Sequence, residues 1–346
     1  MRKLVFITQQ VDPGHPALAA TVPKIRALAA RVDEVVVLAD RAVPGTLPEN
    51  CRVRTFGASR RAGRGLRFET ALARELLRRP RAIVAHMCPI YAVLAAPLAR
   101  PLGVRILLWY THWQGSRTLR AAERVSSRVI SVDRRSFPLE SDKVVPIGHG
   151  IDLAEFACRP EPGNGDLRAV ALGRYSRAKG LETVVRAARL AVDEGLDLRL
   201  ELHGPALNPA EREHRVELER LVSELDLGKR VRVGHAVLRG EVPDVLARAD
   251  VLVNNMRAGA PDKIVYEGAA SCVPVVASNP VFDDLLEERF RFARESPEAL
   301  AARLRELAAL TSEERAEVGH ALRERVAARH SVESWADRVV ELATAE

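Results

Sequence analysis

Residues Pro261–Ala277 read PDKIVYEGAASCVPVVA, the pattern of an amphipathic helix followed by a buried strand. One carboxylate, Glu267, lies on a helix that is otherwise made mostly of small and apolar residues. Small residues let a helix approach neighbouring backbone or a ligand closely, and a carboxylate there can accept hydrogen bonds from vicinal hydroxyls such as those of a ribose. The stretch therefore predicts either a ligand-binding helix or a buried helix with an incidental glutamate.

The same alternation of strand and helix runs along the whole chain. In the first half the predicted strands are Leu4–Thr8, Val35–Ala39, Arg52–Phe56, Ala82–His86, Arg105–Tyr110, Val129–Val132 and Val144–Ile147. The predicted helices between them include Pro16–Arg31, Leu66–Arg78 and Tyr91–Leu102. In the second half the predicted strands are Ala169–Leu172, Leu198–His203, Val231–Val233, Val251–Asn254 and Val273–Ala277. Strands that alternate with helices of this length indicate an α/β protein with parallel sheets covered on both faces.

At 346 residues the chain is too long for one ordinary core. The segment Arg159–Asp166 (RPEPGNGD) has the composition of a linker. We therefore expect two doubly wound, Rossmann-like domains that face a cleft, with ligands at the C-terminal ends of the strands. The expected boundaries are 1–158 for the N-terminal domain, 159–330 for the C-terminal domain and 331–346 for a final helix that packs back on the N-terminal domain, anchored by Trp335.

The composition is that of a soluble globular protein. The longest apolar runs, such as Ile106–Tyr110, are strand-sized, so no transmembrane helix is expected. The N-terminus passes directly into the first predicted strand, which argues against a signal peptide. The four cysteines show no paired spacing, which argues against zinc and against a disulfide framework. We expect a cytoplasmic protein.

Positive charge is concentrated in the first half of the chain. Residues 1–150 carry 25 lysines and arginines against 11 acidic residues, whereas the remainder carries 28 against 35. The cluster Arg60, Arg61, Arg64 and Arg67 is interrupted by glycines and predicts a basic loop that leads into a helix. Few aromatic residues accompany it, so we expect no nucleic-acid partner. Peripheral contact with an anionic membrane, a phosphate-bearing acceptor and a solvated arginine-rich face remain open.

The loop after the first predicted strand reads QQVDPGHP, from Gln9 to Pro16. It lacks the Gly-x-Gly-x-x-Gly pattern, which disfavours a nicotinamide dehydrogenase, because the pyrophosphate contact in those enzymes needs the glycines. Gly14 beside a helix start can still offer a backbone N–H group to an anion. A plain turn between strand and helix is the alternative.

A stronger candidate for phosphate binding is Leu172–Gly180 (LGRYSRAKG) in the second half of the chain. This segment follows a predicted strand and precedes a predicted helix. Arg174 and Lys179 could converge there on a diphosphate, with the dipole of the following helix adding a favourable field. The alternative is a basic helix start that faces solvent. It is disfavoured because cations at a helix N-terminus oppose the dipole and need a counter-anion.

Two further segments complete an ordered set of motifs. These are Trp109–Trp113 (WYTHW) and Val145–Phe156 (VPIGHGIDLAEF). Together with the two stretches above they resemble retaining glycosyltransferases of family 4, whose motifs read Asn-Gly-Val-Asp-x-x-x-Phe, Gly-Arg-x-x-x-x-Lys-Gly and Glu-Ala-Met-Ala-x-Gly-x-Pro-Val-Val. The matches run in order from residue 109 to residue 277, and weaker similarity covers nearly the whole chain. The resemblance implies a GT-B fold, a nucleoside-diphosphate sugar donor, retention at the anomeric carbon and no obligatory metal or other cofactor.

The resemblance also implies a role for each matching residue. His112 would lie beside the transferred sugar, and Arg174 and Lys179 would neutralise the leaving diphosphate, so these three are the expected catalytic residues. The expected donor-binding residues are Gly14, Arg174, Lys179, Gly204, Ala236, Asp262, Lys263 and Glu267. Among them Glu267 would hold the ribose, whereas Gly204 and Ala236 match loops that meet the nucleobase. His149 is a further expected neighbour of the cleft.

The chain departs from the family at one position. The first glutamate of the family's paired-glutamate motif, eight residues before the second, is Gly259 here. Glycine has no side chain to bind a sugar hydroxyl. The following Asp262-Lys263 resembles a bacterial branch of the family, in which Asp262 would cap the helix or bind the sugar and Lys263 would add a cation for the diphosphate. Helix capping is the expected role of Asp262.

The sequence thus predicts a retaining hexosyl- or related glycosyltransferase that acts on an acceptor hydroxyl in cell-surface polysaccharide or glycoconjugate synthesis. The expected acceptor is a sugar or a lipid-linked sugar, and the expected place is the cytoplasm or the inner membrane face. A sugar-nucleotide 2-epimerase of similar architecture and a non-catalytic nucleotide-sugar-binding module are the alternatives. The base, the sugar and the oligomeric state are not predicted.

Overall fold

The computed structural model describes residues 2–15, 18–161 and 165–345. The chain forms two compact units. One comprises Met1–Asp152 together with Arg329–Glu346, and the other comprises Leu153–Ala328. The predicted start of the first helix at Pro16 and residues 162–164 of the predicted linker lie outside the described residues.

The first unit is built on a parallel sheet of seven strands. Its strands are β1 (Lys3–Val11), β2 (Glu34–Ala42), β3 (Cys51–Thr55), β4 (Ala82–His86), β5 (Arg105–Trp109), β6 (Arg128–Ser131) and β7 (Val144–Pro146). They lie in the order β3-β2-β1-β4-β5-β6-β7, and each neighbouring pair is parallel. The middle strands are buried on both faces, which explains why β1, β2 and β4 read as nearly continuous apolar runs.

Five described helices cover the sheet of the first unit. They are α1 (Thr21–Ala29), α2 (Arg61–Leu76), α3 (Pro89–Ala99), α4 (Arg117–Val125) and the last helix of the chain, α11 (Val332–Thr344). Helix α11 packs on α1, and the fully buried ring of Trp335 meets Trp109 at the end of β5 edge-to-face at 5.6 Å. Trp335 therefore anchors the final helix against the end of β5.

Three arginines of the basic cluster, Arg61, Arg64 and Arg67, are helical and Arg60 lies just before the helix, so the predicted basic loop is wrong. Helix α2 begins at Arg61 and runs through Gly63 and Gly65. Its residues Phe68 and Leu72 are fully buried, one helical turn apart, and Phe68 packs against neighbouring aromatic rings. Burial of this apolar stripe outweighs the low helix propensity of the two glycines.

The second unit is built on a parallel sheet of five strands. They are β8 (Leu167–Leu172), β9 (Leu198–His203), β10 (Val231–Val233), β11 (Val251–Asn254) and β12 (Val275–Ala277). Their order is β10-β9-β8-β11-β12, with β8 in the middle and all pairs parallel. Its described helices are α5 (Leu181–Asp193), α6 (Pro209–Glu224), α7 (Val242–Ala247), α8 (Lys263–Ala270), α9 (Pro297–Ala309) and α10 (Ser312–His330), whose last two residues fall in the first unit. The predicted α/β fold class is confirmed.

The expectation that the cysteines form no disulfide is wrong. Cys158 and Cys272 are disulfide-bonded, with their Cα atoms 5.1 Å apart and a sequence separation of 114. Cys272 lies just past α8 in a left-handed backbone conformation (φ 60°), where helices commonly end on glycine. The bond ties the end of α8 to the segment that enters the second unit. Sequence spacing did not reveal a pair brought together only by the fold.

None of the described helices is both long enough and apolar enough to cross a membrane.

Candidate functional site

The loops at the carboxyl edge of the five-stranded sheet carry most of the predicted site residues. Open parallel α/β sheets bind ligands at this edge, where loops connect each strand to the following helix. Strand β8 leads into the Arg174–Lys179 loop, β11 leads towards α8, and β9 and β10 lead into the loops of Gly204 and Ala236. The strand order places β8 next to both β9 and β11, so these loops are neighbours.

Tyr175 fixes the course of the loop after β8. Its side chain is fully buried, and its hydroxyl lies 3.0 Å from the carbonyl oxygen of Leu202 and 2.7 Å from that of Gly234. Burial raises the pKa of Tyr175 to about 12, so the hydroxyl stays a donor at all working pH values. At Gly204 a Cβ atom would lie 1.8 Å from the carbonyl oxygen of Gly173, so only glycine fits where the loops after β8 and β9 meet.

Lys179 folds back over the start of its loop towards α8. Its Nζ donates to the carbonyl oxygen of Leu172 at 3.0 Å and pairs with the carboxylate of Asp262. A Cβ atom at Gly173 would collide with this ammonium group. The structure thus brings two predicted residues, Lys179 and Asp262, together at the start of α8.

Asp262 does not cap its helix, and the expected capping role is wrong. It occupies the N-cap position of α8, but its side chain accepts no hydrogen bond from the helix backbone. One carboxylate oxygen instead receives Lys179 and the side-chain amide of Asn254, the latter at 2.7 Å. A bond to an ammonium group is stronger than a bond to a neutral backbone N–H, which explains the preference.

Arg174 points to a different carboxylate. Its guanidinium lies 3.3 Å from Glu211 Oε1 near the start of α6, and its side chain is 52% exposed. Glu211 is buried and also accepts from the backbone N–H of Leu207 at 2.8 Å. The counter-anions that these cations are expected to need come from the protein itself, with Glu211 beside Arg174 and Asp262 beside Lys179. A bound diphosphate would have to compete with both carboxylates.

Glu267 is the buried centre of an ionic cluster. Its side chain is 3% exposed, and its Oε1 lies 2.5 Å from Arg239 Nη1 and 3.1 Å from Lys263 Nζ. Arg239 also forms two contacts of 2.9 Å with Glu155, through Nε and Nη2. Two cations and two carboxylates thus balance each other around the predicted ribose ligand. Arg239 was not predicted from the sequence, because it belongs to no motif. Glu155 was not predicted as a site residue either, although it lies within the motif Val145–Phe156.

The two predicted nucleobase loops share one cavity. Gly204 and Ala236 line a cavity of about 570 Å³ together with the outward side of α6, including Arg212 and Arg215. Another cavity lies at the opposite, amino edge of the same sheet, lined by Asp197 and other residues that precede the strands. Ligands of open α/β sheets bind at the carboxyl edge, so the cavity of Gly204 and Ala236 is the candidate ligand site.

His214 connects α6 to the loop after β8. It is fully buried, with Nδ1 2.8 Å from the carbonyl oxygen of Tyr175 and Nε2 2.8 Å from Glu182 Oε1. Burial opposes its charge, but the contact with Glu182 and the bond to Tyr175 raise the pKa of His214 overall. The same contact lowers the pKa of Glu182. His214 and Glu182 therefore tie α6 and α5 to the loop that carries Arg174.

Two groups of metal-binding residue types occur among the described residues, and both are already engaged. Cys158 and Cys272 of the first group are bonded to each other, with His320 beside them. In the second group, Glu182, His214 and Glu217 lie together, and Arg177 contacts both carboxylates.

The first unit carries three predicted residues, each at the carboxyl end of a strand. The N–H of Gly14, in the turn after β1, donates to Asp12 Oδ1 at 2.9 Å, so that donor is already used within the turn. His112 follows β5, stacks on Trp113 at 4.0 Å and accepts the N–H of Gln114 on Nδ1, which leaves its proton on Nε2. His149 is buried just after β7.

The comparisons with known proteins agree with this architecture. The family model described as glycosyl transferases group 1 matches residues 166–309, which span most of the second unit. A glycosyltransferase from Rickettsia africae has a TM-score of 0.76 at 12% identity, with 99% of this chain and 97% of that chain covered. Anabaena Alr3699/HepE in complex with UDP has a TM-score of 0.79 at 17% identity, with both chains covered completely. The chain has the GT-B fold. Sucrose-phosphate synthase from Thermosynechococcus elongatus is similar as well, with a TM-score of 0.76 at 19% identity over 99% and 98% of the two chains.

The family match concerns the unit that carries Lys179, Asp262 and Glu267. Group 1 glycosyltransferases use nucleotide-sugar donors. The match therefore supports a glycosyltransferase. No protein with a curated description is similar enough in sequence to count as a relative.

Proposed function

We propose that the protein is a retaining glycosyltransferase that moves a sugar from a nucleoside-diphosphate sugar to an acceptor hydroxyl. The observation that carries this proposal is the position of Lys179, Lys263 and Glu267 at one sheet edge, inside the region that matches the group 1 model. In this proposal the second unit binds the donor and the first unit binds the acceptor. Retention of configuration rests on the resemblance to family 4 alone.

Each charged residue has a chemical role in the proposed reaction. Negative charge builds on the diphosphate as the bond to the sugar breaks, and fixed cations that meet this charge lower the barrier. Lys179 and Arg174 would leave Asp262 and Glu211 for the diphosphate, and Lys263 would add a third cation. Glu267 would accept the ribose hydroxyls, and His112 would donate from Nε2 beside the transferred sugar.

The missing first glutamate of the family motif has a conformational reason. Gly259 has φ +80°, a left-handed backbone conformation that a glutamate would adopt only with strain. The loop before α8 thus follows a course suited to glycine. Asp262, which keeps its hydrogen bond from Asn254 when Lys179 turns to the diphosphate, is the carboxylate that we propose to meet the donor sugar in its place.

For the acceptor we propose a sugar or lipid-linked sugar at an anionic membrane surface, in cell-surface polysaccharide or glycoconjugate synthesis at the inner membrane face. Helix α2 supports this membrane contact, because two leucines are exposed there: Leu66 within the helix is 67% exposed, and Leu77 just past its end is 84% exposed. Exposed arginines, Arg67 and Arg74, lie beside them. Apolar side chains next to arginines suit the boundary between headgroups and acyl chains.

Flotation with vesicles of phosphatidylglycerol and phosphatidylcholine tests this membrane contact. The double substitution Leu66→Ser with Leu77→Ser should weaken binding to the vesicles. Equal flotation of that variant would contradict it.

A donor screen tests the proposed reaction. The protein is incubated with nucleoside-diphosphate sugars, and release of the nucleoside diphosphate is measured with and without simple sugar acceptors. Release from one donor, with the anomeric configuration retained in the product, is the expected result. Binding without release would indicate a binding module, and inversion at C2 of the sugar would indicate an epimerase. No binding of any nucleotide sugar would refute the proposal.

A further inference from the structure

Arg239 has no role in the mechanism described so far, although its guanidinium contacts the predicted ribose ligand directly. We propose that Arg239 is a positioning residue that sets the ribose specificity of the donor site by fixing the carboxylate of Glu267. This inference rests on the proposed donor site. It goes further by assigning the discrimination between ribonucleotides and deoxyribonucleotides to a residue that does not touch the nucleotide.

The guanidinium of Arg239 is itself held rigidly. Glu155 binds it through two parallel contacts of 2.9 Å, and the ring of Phe156 lies against it, with Cζ 4.7 Å from the ring centroid. The side chain is only 14% exposed. Paired contacts of this kind fix the orientation of a guanidinium as well as its position. Arg239 can therefore serve as a fixed support for Glu267.

The contact with Arg239 decides which oxygen of Glu267 is offered to a ligand. Arg239 and Lys263 both approach Oε1, at 2.5 and 3.1 Å. Arg239 donates its hydrogen bond to Oε1, and no hydrogen bond to Oε2 occurs in the described part of the chain, so Oε2 is the oxygen left to accept a hydroxyl. Within α8, the small residues Gly268 and Ala270 do not restrain the carboxylate of Glu267, whereas Lys263 contacts it from the preceding turn. The contact from Arg239 is shorter and its side chain is less exposed, so Arg239 supplies most of the restraint.

Charge gives a second reason for this assignment. A buried carboxylate is costly unless it is paired and hydrogen-bonded. Lys263 is the less constrained partner, because it has a flexible stem, a single described ion pair and 24% exposure. When Lys263 turns to a diphosphate, Arg239 remains as the cation that keeps Glu267 paired. The two cations thus have separate tasks, one for the diphosphate and one for the ribose ligand.

Ribose discrimination gives a readout that a purely structural role would not change. Calorimetric titration compares the nucleoside diphosphate that binds best with its 2′,3′-dideoxy form, for the wild type and for Arg239→Met. The wild type should prefer the ribonucleotide by about tenfold or more, the effect of hydrogen bonds to a charged group. Arg239→Met should lose most of this preference and bind the dideoxy form about as the wild type does. Arg232→Met, at an arginine of β10 that is 66% exposed, is the matched control and should keep the preference.

Each result decides between the two proposals. If the wild type binds no nucleoside diphosphate, the proposed function fails. If Arg239→Met keeps the ribose preference, or loses affinity equally for both nucleotides, the role of Arg239 is overturned while the proposed function stands. If Arg239→Met does not fold, Glu155→Gln replaces it, because this change loosens Arg239 without altering Glu267. An unchanged ribose preference in Glu155→Gln would also overturn the inference.

Discussion

Replacing Lys179 with alanine removes the ammonium group that bridges the start of the β8 loop and Asp262. In the proposed reaction the same group stabilises the departing diphosphate. Loss of one fixed contact to a developing negative charge costs about 2.7–4 kcal/mol in the transition state, which is about a 100- to 1,000-fold loss in kcat. The loss should exceed this range if Asp262, left without its cation, repels the diphosphate.

The same substitution has a smaller effect on stability. Lys179 and Asp262 are 12% and 18% exposed, so their pair is largely shielded from water. Asp262 keeps its bond from Asn254 when the lysine is removed. The loss of one of two hydrogen-bonding partners at a buried acceptor lowers the free energy of unfolding by about 1–3 kcal/mol. The total free energy of unfolding of a typical domain is about 5–15 kcal/mol. Lys179→Ala should therefore fold, and its defect should be catalytic.

The assay is the initial rate of nucleoside diphosphate release, with folding checked by thermal unfolding. Lys229→Ala is the matched control, because Lys229 is an exposed lysine of the same unit that precedes β10. The double variant Lys179→Met with Asp262→Asn removes both charges and should recover stability without turnover. Normal turnover in folded Lys179→Ala would refute the reasoning. Recovery of turnover in the double variant would do the same, because it would reduce Lys179 to a structural role.

Two further predictions concern stability. Reduction of the Cys158–Cys272 bond, or Cys158→Ser, should lower the free energy of unfolding by about 2–4 kcal/mol, measured by denaturant titration with and without dithiothreitol; an unchanged midpoint would contradict it. His214→Gln should destabilise the protein more at about pH 5.5 than at about pH 8.5, since the raised pKa of His214 confers stability below about pH 6.5 that is lost as the pH rises through the raised value. Glu182 has a lowered pKa, so its contribution is lost only as the pH falls into the acid range. Equal melting-temperature differences at both pH values would contradict the prediction for His214.

Much of the fold was predictable because the strands are short, apolar and bounded by turn residues. The predicted strand Ala82–His86 and three strands of the second unit, including Val251–Asn254, have the observed bounds. The start of helix α2 was predicted at Leu66, but the helix begins at Arg61. Gly63 and Gly65 locally favour a loop, whereas burial of Phe68 favours the helix. Tertiary packing decides such cases, and a local pattern does not contain it.

The candidate site was predictable only where a motif marks it. Lys179 and Glu267 were found from local patterns, but their partners come from other elements of the fold. Arg239 lies 28 residues before Glu267 and reaches it only because their elements meet in space. Glu211 likewise contacts Arg174 from the start of α6. The predicted residues therefore turned out to be ion-paired, a property that depends on contacts between elements rather than on sequence spacing.

The disulfide also changes one argument about location. The expected absence of a disulfide was one reason for predicting a cytoplasmic protein, and the Cys158–Cys272 bond removes that reason. The inner membrane face remains part of the proposal, supported by α2 and by the positive charge of the first half of the chain.

A crystal structure with a bound nucleoside diphosphate tests the central claim most directly. The account predicts phosphate oxygens within hydrogen-bond distance of Lys179 Nζ and the Arg174 guanidinium, with both side chains turned away from Asp262 and Glu211. A diphosphate bound elsewhere, with both ion pairs still intact, would contradict it.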